Sequence, residues 1–365
     1  MFRRLILVAK ALHKRKYKKI LVPTFNGDHH ANLVQKVVHS LDIGAEIVLW
    51  FNSALASKAN LSIHLDTNTN LNSIVDENGG EYFLNEFSTV WARRFLKQEL
   101  PENLHEDDID FVRRNSYASV YSIMQMLDNG KVCWVNHFNS ARIIDDKAKQ
   151  LNEAVACGFK IPNTLITNCH KKALNFLSTT TNAIIKYYFT NAWETDSNNI
   201  IKTYTKAIDY VELSNVAPEV FQYTPVILQE QIDSKAELRV FYIGGVVVTA
   251  KIECAKDKQY CDWRLGVNLN KDVAITPFEL PLKVQEKLHF FMKRNNLITG
   301  SFDFIIDKKG NLIFLEINEM GNFIWLEHYN PEISVLDPFV SYLTQATINK
   351  TWKYKPLGIH YNDYV

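Results

Sequence analysis

The sequence predicts an α/β chain of the α+β kind: a doubly wound N-terminal domain, a small central domain and a C-terminal domain built on an antiparallel sheet. Three observations carry this. From Lys19 to Phe51 the pattern reads strand, helix, strand, the opening of a doubly wound domain. The C-terminal part holds two apolar hairpins, one turning at Gly244-Gly245 and one around Lys308 to Asn311, as antiparallel strands require. Finally, 365 residues exceed one small core, so two or three packed units are expected.

Each element follows in order. The first eighteen residues are basic, and Lys10 interrupts their apolar run with no small-residue cleavage site after it, which argues against a signal peptide. KKILVPTF then reads as a buried strand, followed by the turn Asn26-Gly27-Asp28, with Asp28 placed to cap the helix HANLVQKVVHSL. AEIVLWF is the second strand. Residues 62 to 90 are polar and broken by Asn, Asp and Gly. In TVWARRFLKQELP, Trp91, Arg93 and Arg94 suit an anion or a peptide carboxylate, but with no partner motif the reading as side chains lying over a domain surface is favoured. DIDFVRRNSYASVYSIMQML and DDKAKQLNEAVACG carry helical spacing, and Gly158 closes the second. NTLIT, HKKALNFL and NAIIKYY give strand, helix, strand. The expected divisions are an extension over residues 1–18, an N-terminal domain over 19–140, a central one over 141–225 and a C-terminal one over 226–365.

The chemistry concentrates in SFDFIIDKKGNLIFLEINEMG. A turn centred on Lys309 and Gly310 sets Asp303 across from Glu316, and side-chain alternation gives Asn318 the face of Glu316. Phe304, Ile306, Leu315 and Ile317 then face the other way. Carboxylates so close repel unless a cation neutralises them, and an oxygen-only set suits Mg2+. Cations stand in apolar strands too: Lys186 in NAIIKYY, Arg239 in ELRVFYI and Arg264 in CDWRLGVN. No GxxxxGK[ST] loop or strand-linked GxGxxG occurs, so neither a P-loop nor a dinucleotide fold explains them. A formal net charge of +1 predicts no bulk attraction to nucleic acid or membrane. No apolar run reaches membrane-spanning length, and five scattered cysteines without a CxxC pair fit a reduced cytoplasm.

Lys186 in a strand, PVILQEQIDSKAELRV, the DWR of 262 to 264, SFDFIID and FLEINEMGNFIWLE stand in an order that resembles the ATP-grasp fold. Within it the chain is similar to the graspetide maturases, the microviridin-type peptide ligases, through GDHH at 27 to 30, VWARR at 90 to 94, DWR and WLE. The resemblance implies that Lys186 meets the nucleotide phosphates. It assigns Glu230 and the backbone of Gln231 and Ile232 to adenine, and Glu237 to the ribose. Arg239 and Arg264 would neutralise charge during transfer, and Asp303, Glu316 and Asn318 would hold Mg2+. Trp91, Arg93 and Arg94 fall to the substrate peptide. Where the family often has proline and a Gly-Gln pair after the metal asparagine, this chain has Glu319, Met320, Gly321 and Asn322.

The resemblance therefore implies an ATP-dependent ligase. Its partner would be a ribosomal precursor peptide with leader and core, and homodimers are usual among the relatives. Asp or Glu side chains would be activated as acyl phosphates and closed onto Ser/Thr hydroxyls or Lys amines. Two other classes remain: an ATP-grasp ligase adding a small amino acid to a molecule or protein C-terminus, and a non-catalytic nucleotide-binding regulator.

Overall fold

The computed structural model describes residues 17–57, 59–67, 70–76, 78–95, 98–188, 192–194, 200–202, 205–254, 273–348 and 350–365. The expected opening is present as β1 (Lys18–Thr24), α1 (His29–Leu41) and β2 (Ala45–Phe51). β1 and β2 run parallel, as a helical crossover demands. Alternation sends Ile20 and Val22 into one core and Leu21 into another, so both faces of this sheet are covered. The stretch read as polar and broken instead folds as an antiparallel sheet of β3 (Asn60–Leu65), β4 (Asn70–Val75) and β5 (Glu81–Phe83). Its inner face needs only Leu61, Ile63, Ile74 and Tyr82 to pack, and the asparagines between them hide the period.

β6 (Phe87–Val90) returns to the parallel sheet. α2 (Ile109–Leu127) buries Val120, Ile123, Met124 and Leu127 on one stripe. β7 (Cys133–Trp134) completes the order β2-β1-β6-β7.

Two helices follow, α3 (Phe138–Ile144) and α4 (Lys147–Ala156). Asp146 caps α4 by accepting from the Lys149 N–H at 2.7 Å, and Gly158 ends it at φ +77°, as the sequence required. The central sheet is built from β8 (Thr164–Thr167), β9 (Ala183–Lys186), β12 (Lys206–Ile208) and β13 (Val226–Glu230) in the order β12-β9-β13-β8. A small hairpin of β10 (Ala192–Glu194) and β11 (Ile200–Lys202) stands apart from it. One face is covered by α5 (His170–Thr179), α6 (Tyr210–Ser214) and α7 (Pro218–Phe221). Val226, where the sequence suggested a division, opens a strand of this central sheet.

The C-terminal sheet comprises β14 (Ser234–Ile243), β15 (Val246–Cys254), β16 (Val273–Pro277), β17 (Thr299–Asp307) and β18 (Leu312–Asn318), with the order β16-β15-β14-β17-β18. Its first turn is Gly244-Gly245, at φ +54° and +104°. A Cβ on Gly244 would also come 2.4 Å from the Tyr342 ring, so glycine is needed there twice over. Leu238, Val240, Phe302, Phe304 and Phe314 pack on one face beneath α4 and α8 (Leu282–Arg294). On the other face Phe241 and Ile243 meet the N-terminal domain together with α9 (Ile324–Tyr329) and α10 (Leu336–Gln345). That face is therefore sealed at one end and carries charge at the other. Among the described residues, no helix is long and apolar enough to cross a membrane.

Candidate active site

The charged end of the sheet is a grid of cross-strand neighbours. Arg239 on β14 pairs in register with Asp303 on β17, which pairs with Glu316 on β18; the next row holds Phe241, Ser301 and Asn318. Residues directly opposite share a face, so Asp303, Glu316 and Asn318 stand together as expected. The route to that register differs from the expected one. Near the turn Ile306 faces Leu312, a pairing centred on Lys309, and an extra residue on β18 between the Phe304 and Asp303 pairs then brings Glu316 opposite Asp303. That bulge also corrects the core: Phe314, fully buried, joins Phe302 and Phe304, whereas Leu315 does not enter that core.

Cations converge on these carboxylates. Arg239 forms an ion pair with Asp303, and Lys147, at the start of α4, lies 3.2 Å from the Glu316 carboxylate. Burial pushes the Glu316 pKa upward, but the charges of Lys147, Lys186 and Arg239 outweigh it and hold the group below the ordinary carboxylate value. Lys186 is anchored by donating to Gln229 Oε1 at 2.9 Å. Above Arg239 lies the Trp325 ring, 5.9 Å from the guanidinium carbon, and Trp325 in turn donates to Asn322 O at 2.8 Å. Asn318 Oδ1 accepts from the Gly321 N–H at 2.9 Å. Between the ligand candidates Ser301 is 1% exposed and its hydroxyl has no hydrogen-bond partner among the described residues. Two carboxylates, a carboxamide and an unsatisfied hydroxyl make an all-oxygen donor set, which fits a hard cation such as Mg2+.

Glu319, next after Asn318, is 3% exposed. Burial first and the neighbouring Asp145 second push its carboxyl up to about 7, against the pull of Arg94. Arg264 lies outside the described residues, as does most of the loop after Lys186. At the hinge between β13 and β14, the Glu230 carboxylate accepts from the Asn163 N–H at 3.3 Å. The Gln231 N–H donates to Asn182 O at 3.0 Å. Glu237 is half-buried on β14, on the face of Arg239.

The surface reading of Trp91 and Arg93 does not hold. Trp91 is 1% exposed, edge-on to Phe339 at 4.7 Å, and Arg93 is 2% exposed. Arg93 Nε stands 3.1 Å from Asp28 Oδ2, and its Nη atoms donate to Met320 O at 3.0 Å, Gly321 O at 3.2 Å and Asn322 Oδ1 at 3.2 Å. It thus ties the cap of α1 to the loop that leaves Asn318. Arg94 remains half-buried and also reaches Asn322 Oδ1, at 3.2 Å. Asp28 caps α1 as expected, accepting from the His30 N–H at 3.1 Å and from Thr24 Oγ1 at 2.7 Å. Sequence reasoning missed Lys147, and it quoted His30 and Trp325 only within the motifs GDHH and WLE, with no role for either; the one local signal for Lys147 was a lysine at the N-terminus of a helix, where a cation is disfavoured.

His30 Nε2 accepts from the Phe323 and Ile324 N–H groups at 3.2 and 3.4 Å, which requires a neutral ring protonated on Nδ1. Burial foremost, with the Arg93 charge, lowers its pKa to about 3. The unfolded chain takes up this proton near pH 6.5. The stabilisation is therefore complete above about pH 6.5 and is lost as pH falls toward 3, at no more than about 1.4 kcal/mol per pH unit. Thermal melting of wild type and His30→Gln from pH 7.5 to 4.5 checks this: wild type should lose stability below pH 6.5 more steeply than the variant. Parallel curves would remove His30 as the cause.

The model of the MvdD pre-ATP-grasp domain matches residues 19–142. No curated protein matches the sequence. A RiPP-associated ATP-grasp ligase of Chryseobacterium gregarium, solved with ADP and a leader and core peptide, is 22% identical. It aligns over 92% of this chain and 100% of its own at a TM-score of 0.80. The macrocyclase MdnC of Microcystis aeruginosa MRC, bound to its precursor peptide MdnA, is 23% identical over 90% of this chain and 100% of its own, at 0.78. The ATP-grasp ligase PsnB, complexed with a phosphomimetic variant of its minimal precursor, Mg and ADP, is 15% identical over 90% and 98%, at 0.69. The chain has the fold of these ATP-grasp ligases, so the fold that the resemblance implied is borne out.

Proposed function

We propose that the chain is a Mg2+-dependent ATP-grasp ligase that activates Asp or Glu side chains of a ribosomal precursor peptide and closes them into ester or amide macrocycles. The observation that carries this reading is the grid of Asp303, Glu316 and Asn318 faced by Lys147, Lys186 and Arg239. Neighbours of the same fold were solved with ADP, Mg and precursor peptides, which supports a nucleotide at this grid and a peptide beside it.

Asp303, Glu316 and Asn318 would hold Mg2+, which, when bound, offsets phosphate charge and aligns the triphosphate. Lys186 and Lys147 would meet the phosphate oxygens. Arg239, held by Asp303 and roofed by Trp325, would stabilise charge on the transferring group. Arg264 is assigned the same task. At the hinge, Glu230, Gln231 and Ile232 would frame adenine. Because the Gln231 N–H is engaged by Asn182, base recognition falls to the other groups of these residues. Glu237 would take the ribose hydroxyls.

A substrate carboxylate oxygen attacks the γ-phosphorus and ADP leaves, giving an acyl phosphate. A Ser/Thr hydroxyl or Lys amine then attacks the acyl carbon, inorganic phosphate departs, and a proton is lost from the nucleophile. The peptide is lighter by one water per ring. Mass spectrometry of the chain with ATP, Mg2+ and its cognate precursor, rich in Thr/Ser and Asp/Glu, is the test. A loss of roughly 18 Da per ring is expected from condensation through an acyl phosphate. An unchanged mass would refute macrocyclisation, and a gain of one amino-acid residue would identify an amino-acid ligase.

A further inference from the structure

Among the described residues β18 is the edge of its sheet, and beyond an isolated bridge of Lys160 with Ile313 no strand pairs with the backbone groups on its outer side. Water cannot serve them where helix α4 covers them, and buried N–H and C=O groups require partners. At Ile317 the partner is one side chain. Gln150 of α4 is 4% exposed, donates from Nε2 to Ile317 O at 3.0 Å and accepts at Oε1 from the Ile317 N–H at 3.0 Å. The carboxamide reproduces the two bonds a further strand would make. Its orientation is fixed, because a backbone N–H only donates and a carbonyl only accepts.

Ile317 is flanked by Glu316 and Asn318, while its own side chain enters the apolar core. Gln150 therefore grips the strand between two residues assigned to the metal. Lys147, three positions earlier on the same helix, reaches Glu316, so one helix face addresses both. Farther along the edge, Lys160 O accepts from the Phe314 N–H at 2.8 Å, and Asn136 Nδ2 donates to Glu319 O at 2.7 Å. The backbone on both sides is thus fixed independently, and Gln150 governs the ligand step itself.

We infer that Gln150 is a positioning residue for the metal site, setting the spacing of Glu316 and Asn318 through the backbone of Ile317. The inference rests on the metal role proposed for those two residues. Partners that orient ligands typically carry about 10–100-fold in metal affinity, and a site loosened by about 1 Å is functionally poor.

The test compares wild type with Gln150→Leu, which keeps the volume and removes both bonds, and with Glu153→Gln, a control on the same helix. Glu153 is buried and paired with Lys149 and Arg294, remote in role from the ligands. Two quantities are read: amide exchange at Ile317 without metal or nucleotide, and the Mg2+ concentration that half-saturates ADP binding by calorimetry. Gln150→Leu should accelerate exchange at Ile317 and raise the Mg2+ requirement about tenfold or more. Glu153→Gln should lower the melting temperature without moving the Mg2+ requirement. If Gln150→Leu fails to fold, Gln150→Asn, which keeps the amide but shortens its reach, is read the same way. A wild-type Mg2+ requirement in a folded Gln150 variant, or a shift no larger than that of Glu153→Gln, would overturn the inference. Absence of Mg2+-dependent ADP binding in wild type would instead sink the proposed function, and the exchange measurement would still report on the clasp.

Discussion

Glu316→Gln is expected to leave the protein folded while lowering kcat/KM for ligation roughly a thousandfold. The reasoning separates two roles for one carboxylate. As the partner of Lys147 alone, with side chains 33% and 43% exposed, it would contribute only about 0–1 kcal/mol, as exposed ion pairs do. Activity would then stay within a few fold. As a metal ligand it supports transition-state charge stabilisation of several kcal/mol, and about 4 kcal/mol corresponds to roughly 10³ in rate. Glutamine keeps the size, so packing under α4 survives. Asp303→Asn should behave alike, with the added loss of the carboxylate charge that pairs with Arg239. Steady-state ligation and a melting curve on each purified variant decide the matter. A folded Glu316→Gln enzyme within tenfold of wild type would remove Glu316 from the metal.

The contrast between what the residues revealed and what they hid has a physical basis. Asp303, Glu316 and Asn318 were legible because strand alternation is local and charges inside apolar strands stand out. Even so, the pairing of Asp303 with Glu316 followed from a turn centre half a residue off. A bulge that the sequence does not signal restored the count and put Phe314 where Leu315 was expected in the core. Asp28 was legible as a cap because its partners lie two and three residues on. Its pairing with Arg93 was not, since that contact spans separate elements. Gln150 offered one unused clue. It lies on the buried stripe of α4 with Leu151, Glu153 and Ala154, and a polar residue on an apolar stripe has to bond something there. The strand it would bond could not be named before the fold was known. Trp91 and Arg93 were misplaced for the same reason, because an aromatic beside arginines reads alike on a surface and in an interface between domains.

Arg93→Ala is expected to cost about 3–5 kcal/mol of stability, the range for removing one partner of a buried ion pair. Asp28 is 4% exposed, and its carboxyl is held below the ordinary value because Arg93, Thr24 and the Ala31 N–H outweigh the effect of burial. Without Arg93 that charge stays buried with one compensating cation fewer. The carbonyls of Met320 and Gly321 lose their donor as well, so the loop leaving Asn318 should loosen and catalysis should fall along with stability. Lysine restores the charge but not the fork that reaches several oxygens at once, so Arg93→Lys should recover only part of the loss. Arg93→Met combined with Asp28→Asn should cost less than the sum of the two single changes, since the cycle removes both members of the pair. Urea unfolding of the five variants, Arg93→Ala, Arg93→Lys, Arg93→Met, Asp28→Asn and the double change, measures each difference. An Arg93→Ala protein as stable as wild type, defective only in the KM for peptide, would return Arg93 to a substrate-gripping role and refute its assignment as a buried clasp.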